Sequence, residues 1–303
     1  MDITPFEHIM VVLEYNDGNL APLSRAARLS KGFGNKLTVF ISLHGMLNQK
    51  QRSGQPDNLA TVVHQLEQQI VQHLTQYDAR EALQEIILSW QLAPIQAMES
   101  IIAERDYDLI LKSPYEQRDF KSLFRNGLDN YFISSCPVPV WMIKPRVWDD
   151  EIEVLACVDV ADESIENHRM NKQILVYSDH LCAVLGSQMH VIDCYYREIG
   201  HMNIDFNNRR GFKHEVSVKQ QHKEKLQLFI NEYSLAENAL HFAEGLPDDA
   251  LPQKASLLNA ELVVIGNNED SNFFDRTFGD TAVALTKAMP CDILILRPVE
   301  KDF

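Results

Sequence analysis

The sequence predicts an α/β protein made of two tandem domains, each with a five-stranded parallel sheet covered by helices. Three observations indicate this fold class. Apolar runs of strand length alternate with amphipathic helical segments, the two halves of the chain repeat each other, and 303 residues suffice for two domains of ordinary size. Continuous apolar strands that alternate with helices form parallel sheets buried on both faces, with right-handed crossovers between strands.

The first part of each half shows the same order of elements. Each half begins with an apolar run that ends in a carboxylate, at Glu14 in the first half and Asp159 in the second. A helix, a second strand, a long polar-faced helix and a third strand follow. The helix is predicted at about 21–31 in the first half and 162–185 in the second, and the second strand begins at Lys36 and Gln188. The long polar-faced helix is predicted near 58–77 and 214–233, and the third strand at EIILSW and NALHFA.

The last part of each half aligns with the other without a gap. QLAPIQAMESIIAERDYDLILKS lies over EGLPDDALPQKASLLNAELVVIG, so that Pro94 matches Pro247 and Leu109 matches Leu262. At the same offset CPVPVWMIKP lies over MPCDILILRP. A proline suits the first turn of a helix, because its missing N–H would be unpaired there in any case. Each half is therefore predicted as β-α-β-α-β-α-β-α-β.

The repeat places the domain boundary between residues 147 and 151, giving domains 1–147 and 151–303. The connecting segment PRVWDDEIE, residues 145–153, is short, so the two copies must stay close together. Similar copies held together most simply pair about a pseudo-twofold axis, as identical subunits do in a dimer. Intramolecular pairing of the two domains is therefore expected.

Composition narrows the classes of partner. The chain has 28 basic and 43 acidic residues, a net charge of -15, which speaks against nucleic acid as a general partner. MDITPFEH has no signal-peptide pattern, and no run approaches the roughly 18 apolar residues of a membrane span. The five cysteines are scattered and odd in number, which predicts reduced, mostly buried thiols. A cytoplasmic protein without a membrane partner is expected.

The segment GNNEDSNFFDRTFGD, residues 266–280, lies between a predicted strand and a predicted helix. Its two glycines, Gly266 and Gly279, stand where α/β proteins often hold phosphates on backbone N–H groups. The same segment carries acidic residues, among them Glu269 and Asp280. It is either a nucleotide site or the frame of one.

Several landmarks resemble a known family. In the second half, VLACVDVADES is similar to the first strand of that family with its aspartate, and MHVID is similar to its second strand. GLP and VVIG are similar to its later landmarks. On these, the chain resembles the universal stress proteins in tandem form, along nearly its whole length. The resemblance implies an adenine-nucleotide alpha hydrolase-like, Rossmann-like fold and a role in growth arrest, oxidative stress or DNA damage resistance. It also implies a nucleotide motif: Gly-x-x-Gly, nine residues, then Gly and Ser or Thr.

Carried over to this chain, the motif gives a degenerate candidate ATP site. The resemblance assigns nucleoside contacts to Asp159 and Val191 and loop contacts to Gly266 and Gly279, with Asp280 at the hydroxyl position. Glu269 replaces the second glycine. In the first half the three glycine positions and the aspartate are replaced by Ser113, Glu116, Asn126 and Glu14.

ATP is therefore possible as a cofactor but disfavoured. No ATP binding is expected in the first half, and weak or absent binding in the second, which Glu269→Gly with Asp280→Ser should raise at least tenfold. Two of the acids also have structural interpretations, Asp280 as a cap of the last helix and Asp159 as a turn residue or cap.

No catalytic constellation is identifiable, and the histidines and cysteines match no zinc spacing. The segment Arg197–Phe212 is predicted as a long loop, either a lid over an apolar pocket or a docked surface loop. The sequence thus favours a non-catalytic binding or regulatory module with an unidentified protein partner. Two alternatives remain: a weak ATP-binding protein with slow or no hydrolysis, and a sensor or carrier of an apolar small ligand.

Overall fold

A computed structural model describes residues 6–15, 18–44, 59–114, 126–148, 152–195, 211–231, 233, 235–267 and 285–298. The chain divides into two compact units, Met1–Asp149 and Asp150–Phe303. Each unit contains five parallel strands flanked by helices, which confirms the predicted α/β class.

The first unit has its strands in the order β3-β2-β1-β4-β5. The strands are β1 (His8–Glu14), β2 (Lys36–Ser42), β3 (Leu83–Ser89), β4 (Leu109–Lys112) and β5 (Val140–Met142). The helices are α1 (Ala21–Phe33), α2 (Leu59–Gln76), α3 (Pro94–Glu104) and α4 (Asn126–Asn130), which a π-helical turn, Tyr131–Ser135, continues.

The second unit repeats this order, as β8-β7-β6-β9-β10. Its strands are β6 (Glu153–Val158), β7 (Gln188–Tyr195), β8 (Leu240–Glu244), β9 (Leu262–Gly266) and β10 (Asp292–Leu296). Its helices are α5 (Ile165–Leu185), α6 (Gly211–Phe229) and α7 (Pro247–Leu258). None of the helices in the described part of the chain is long and apolar enough to cross a membrane.

Local sequence sets where the helices begin and end. Both α3 and α7 start at the predicted proline. Helix α5 begins later than the predicted residue 162, because the Asp162 carboxylate accepts a hydrogen bond from Ser164 N (2.9 Å) and Ser164 Oγ then caps the helix by accepting from Asn167 N (3.2 Å). The same helix ends at Gly186, whose φ of 66° suits glycine. Helix α6 starts at Gly211, inside the predicted loop Arg197–Phe212, whose preceding residues lie outside the described part of the chain.

The strand order places a ligand crevice at the same edge of each sheet. In each unit the first strand lies between the second and the fourth, so that the connections leave it in opposite directions. Open α/β sheets bind ligands at the carboxyl ends of the strands beside such a switch point. The register aligns Leu13 with Ile41 in the first unit and Val158 with Asp193 in the second, so Ile41 and Asp193 occupy equivalent places at this edge.

Both units bury their cysteines, and the first unit also buries Arg25. All five cysteines are free and buried, as the sequence predicted. In the first unit the Arg25 guanidinium lies 3.9 Å from the centre of the Trp148 ring and donates a hydrogen bond to Arg146 O (2.9 Å). Because Trp148 itself is almost fully buried, this contact holds the end of the first unit against α1.

Candidate functional site

Asp159 immediately follows β6 and forms a turn. Its Oδ1 accepts hydrogen bonds from Ala161 N (2.8 Å) and Asp162 N (3.3 Å), and Asn171 of α5 bonds its backbone N–H and C=O. Burial raises the pKa of Asp159, while the two N–H donors act in the opposite direction. The structure therefore gives Asp159 the turn role that the sequence offered, and its ligand role stays a prediction.

Val191 and Gly266 lie in the sheet of the second unit. Val191 is fully buried in β7, where it pairs with Ala156 of β6. Gly266 ends β9, and a Cβ there would overlap the Met170 side chain of α5, with Sδ at 2.5 Å. Met170 thus packs directly against the backbone of Gly266, and this contact favours a glycine whether or not a ligand binds.

The other predicted contacts of the loop, Gly279 and Asp280, lie outside the described residues, as does Glu269. Their roles stay predictions. The structure places Asp159 and Gly266 at the carboxyl ends of two paired strands, β6 and β9.

A buried, hydrogen-bonded aspartate–histidine pair lies beside Asp159 and was not predicted from the sequence. The Asp193 carboxylate on β7 is fully buried; it accepts hydrogen bonds from His222 Nδ1 of α6 (2.6 Å) and from Val160 N (3.3 Å). Burial raises the pKa of Asp193, and His222 opposes that rise. The Tyr195 ring flanks the imidazole, with ring centres 5.7 Å apart. The signal available in the sequence was a carboxylate inside the apolar strand MHVID, because a buried charge needs a partner.

The pair joins helix α6 to the carboxyl end of β7. It lies next to the turn at Asp159, close enough for His222 and Asp193 to influence the charge of Asp159 electrostatically. A carboxylate that orients an imidazole is also a component of general-base sites. Within the described ranges, no group of three or more His, Cys, Asp or Glu side chains could hold a metal ion.

The first unit has a different ion cluster at the matching place. Lys112 ends β4, is fully buried, and places Nζ 2.7 Å from Asp129 Oδ1 and 3.4 Å from Glu14 Oε1. The ammonium also donates to Ser113 O (2.8 Å), and Ser113 Oγ accepts from Asn19 Nδ2 (3.0 Å). A fixed cation and its two carboxylates thus stand where the second unit has an apolar strand end and Gly266.

A cavity of about 290 Å³ opens beside this cluster in the first unit. Glu14 and Asn19 line it together with the ends of β1 and β2 and one face of α2. The sequence did not predict a cavity in this half, because a cavity depends on how far a helix stands from a sheet.

Comparison with known proteins finds relatives that cover nearly the whole chain. No family model matches it. Universal stress protein E of Photorhabdus laumondii is 23% identical over 97% of this chain and 95% of its own length. The Escherichia coli K12 protein of that name is 22% identical over 97% and 94%, and the Haemophilus influenzae homologue is 23% identical over 98% and 99%.

Solved structures share the fold. A Pseudomonas aeruginosa PAO1 protein of unknown function has a TM-score of 0.72 and 20% identity, covering 98% of this chain and 94% of its own. A putative universal stress protein from P. aeruginosa UCBPP-PA14 has a TM-score of 0.71, 19% identity and coverages of 98% and 95%. One from Archaeoglobus fulgidus has a TM-score of 0.57, 14% identity and coverages of 97%. The chain is therefore similar over nearly its whole length to universal stress protein E, which confirms the resemblance to the tandem universal stress proteins.

Proposed function

We propose that this chain is a cytoplasmic stress-response protein that acts as a non-catalytic binding or regulatory module. The names of its relatives support the stress-response role. The observation that carries the second part is that side chains of the protein itself pack or pair at the carboxyl ends of the strands in each unit. In the second unit these are the Asp193–His222 pair and Met170; in the first unit they are Lys112 and its partners.

Packing supports the absence of a working phosphate loop. A phosphate loop needs backbone N–H groups that a ligand can approach closely, which glycine allows. At Gly266 the close approach is already taken by Met170. In the first unit Ser113 replaces this glycine, and the neighbouring Lys112 is held by Asp129 and Glu14.

Negative charge in the second unit also disfavours ATP binding. Glu269 and Asp280 place two carboxylates in the loop to which the resemblance assigns the phosphates. An ionised carboxylate about 5 Å from a phosphate charge costs roughly 3 kcal/mol at an effective dielectric constant near 20. Each such contact would lower affinity by about two orders of magnitude.

Calorimetry with magnesium ATP, on the whole chain at neutral pH, tests the proposal. No saturable binding is expected at micromolar ATP, and phosphate release should equal that of buffer. Glu269→Gly with Asp280→Ser is expected to raise the affinity at least tenfold. Micromolar affinity in the unaltered protein would favour the alternative, a weak ATP-binding protein, and steady phosphate release would contradict a non-catalytic role.

The cavity in the first unit favours a second candidate, a sensor or carrier of a small ligand. It combines an apolar floor with a polar rim, which is the usual build of a small-molecule site. This candidate is compatible with the first, because a regulatory module can respond to a ligand without converting it.

A further inference from the structure

The cavity of the first unit lies where the second unit holds the Asp193–His222 pair. The register puts Ile41 at the place of Asp193, at the carboxyl end of the second strand of its unit. On the helix that follows this strand, Leu66 and His222 each stand four residues before an apolar residue that is almost fully buried. Two aliphatic side chains thus replace the aspartate and the histidine, so this edge of the first unit is apolar.

The floor of the cavity consists of aliphatic side chains. Leu13 and Ile41 come from the ends of β1 and β2, and Val62 and Ile70 come from α2; all four are buried. A charged group placed among them would lose its water and gain no hydrogen bond from these side chains, which costs free energy. The part of a ligand that enters the cavity is therefore uncharged and mostly apolar.

The rim gives no advantage to either sign of charge. Among the described lining residues Glu14 is the one with a charged side chain. Its carboxylate already contacts the Lys112 ammonium at 3.4 Å, and the same ammonium lies 2.7 Å from Asp129. A cationic ligand would have to compete with Lys112 for this carboxylate, whereas an anionic ligand would meet its negative charge.

Two carboxamides provide hydrogen bonds at the rim. Gln65 and Gln69 line the cavity and are exposed on α2. Asn19 lies there too, but it is engaged, because it donates to Ser113 Oγ and accepts from Ala21 N. A glutamine side chain has one acceptor oxygen and two N–H donors, which complement a hydroxyl or an amide group.

The size of the cavity limits the ligand. Its volume is about 290 Å³, just under the range of about 300–1,000 Å³ that is usual for ligand pockets. An apolar cavity of about 150 Å³ holds a benzene molecule. The first-unit cavity therefore has room for one ring with a short chain attached.

We propose that the first-unit cavity binds a small uncharged organic molecule with an apolar body of about one ring. The body lies against Leu13, Ile41 and Ile70. A hydroxyl or amide group of the ligand hydrogen-bonds to Gln65 and Gln69 at the rim. This inference rests on the proposed role as a binding module and names the class of ligand.

Three probes with the same phenylpropyl body separate charge from shape: 3-phenylpropan-1-ol, 3-phenylpropylamine and 3-phenylpropionate. Each is titrated into the whole chain at neutral pH by calorimetry, and ligand-observed NMR checks that binding saturates. The alcohol is expected to bind at least tenfold tighter than the amine and the carboxylate. A preference of less than threefold over either charged probe, or no saturable binding of the alcohol, would overturn the proposal.

Variants of α2 locate the site. Leu66→Trp fills the cavity from a half-buried position and should abolish binding of the alcohol, and the smaller change Leu66→Phe should weaken binding at least threefold. The matched control is Gln72→Trp on the exposed side of the same helix, which should leave binding unchanged. Circular dichroism and the urea midpoint of each variant show that it is folded. Alcohol binding that survives Leu66→Trp would place the ligand elsewhere and refute the assignment.

The result with the alcohol and the result with ATP are independent. Micromolar affinity for ATP would contradict the proposed function and would leave the alcohol site of the first unit standing. Absence of alcohol binding would refute the present inference and would leave the ATP result unchanged.

Discussion

Replacing Lys112 by methionine should strongly destabilise the first unit. The substitution keeps the length of the side chain but removes the buried ammonium that lies 2.7 Å from Asp129, whose side chain is only 12% exposed. Removing one partner of a buried ion pair typically costs about 3–5 kcal/mol. Glu14 is 31% exposed and can regain water, so we expect a loss near the lower end, about 3 kcal/mol. That is a large share of the ordinary stability of a domain, about 5–15 kcal/mol.

Urea unfolding followed by tryptophan fluorescence measures this loss. All three tryptophans, Trp90, Trp141 and Trp148, lie in the first unit, so the signal reports that unit by itself. The double variant Lys112→Met/Asp129→Asn removes both charges and should recover at least half of the lost free energy of unfolding.

The matched control is Lys31→Met. It breaks an exposed ion pair with Asp78 (3.3 Å), which is worth about 0–1 kcal/mol. If Lys112→Met is no more destabilising than Lys31→Met, the ion cluster does not stabilise the first unit and the reasoning is wrong.

Three further predictions concern other buried groups. Burial lowers the pKa of His241 to about 4, below its value of about 6.5 in an unfolded chain, so the second unit should lose stability as pH falls from 6.5 to 4. After allowance for partial exposure, the expected loss is about 1–2 kcal/mol. Urea titrations at the two pH values measure this loss, and His241→Gln should reduce it. Burial raises the pKa of Cys182 to about 11 and that of Cys194 to about 12, so a thiol reagent at pH 8 should label none of the five cysteines in the folded protein and all five in denaturant. Arg25→Ala should cost about 2 kcal/mol in urea unfolding and shift the emission of Trp148, because it removes the nearer of two guanidinium groups over that ring, at 3.9 Å against 5.7 Å for Arg28; unchanged emission would contradict the contact.

The elements of the fold were predictable from the sequence because their signals are local. Apolar strands alternate with helices, and Pro94 and Pro247 mark two helix starts that the structure reproduces. The start of α5 was placed too early, because Asp162 favours a turn as strongly as a helix start and its bond to Ser164 N decides between them. The pairing of the two halves stays a prediction, which solution scattering on the whole chain tests.

The site was harder to predict because its contacts join distant parts of the chain. The place of Lys112 at the strand end was recognisable, but not that Asp129 and Glu14 would surround it. Asp193 and His222 are 29 residues apart and come from different elements. A carboxylate within an apolar strand indicates that a partner exists, yet the sequence pattern does not say which helix supplies it.

Gly266 shows how one residue can fit a ligand motif and still have a structural cause. The resemblance assigned it to a phosphate, whereas the structure packs Met170 against it. A Cβ at this position would also lie 3.3 Å from Ile174 Cδ1, so Gly266→Ala should cost about 1–3 kcal/mol through overpacking.

A double-mutant cycle decides between the two explanations for a glycine at position 266, packing against Met170 and binding of a ligand. Met170→Ala alone should cost about 2–5 kcal/mol, but combining it with Gly266→Ala should cost less than the sum, because the new methyl group fills part of the space that Met170 leaves. The control is Ser113→Ala at the matching position of the first unit, where a Cβ is already present and only the bond to Asn19 is lost. Urea unfolding followed by circular dichroism gives the free energies without any nucleotide. Additive losses, or a neutral Gly266→Ala, would refute the packing account and return the glycine to a ligand role.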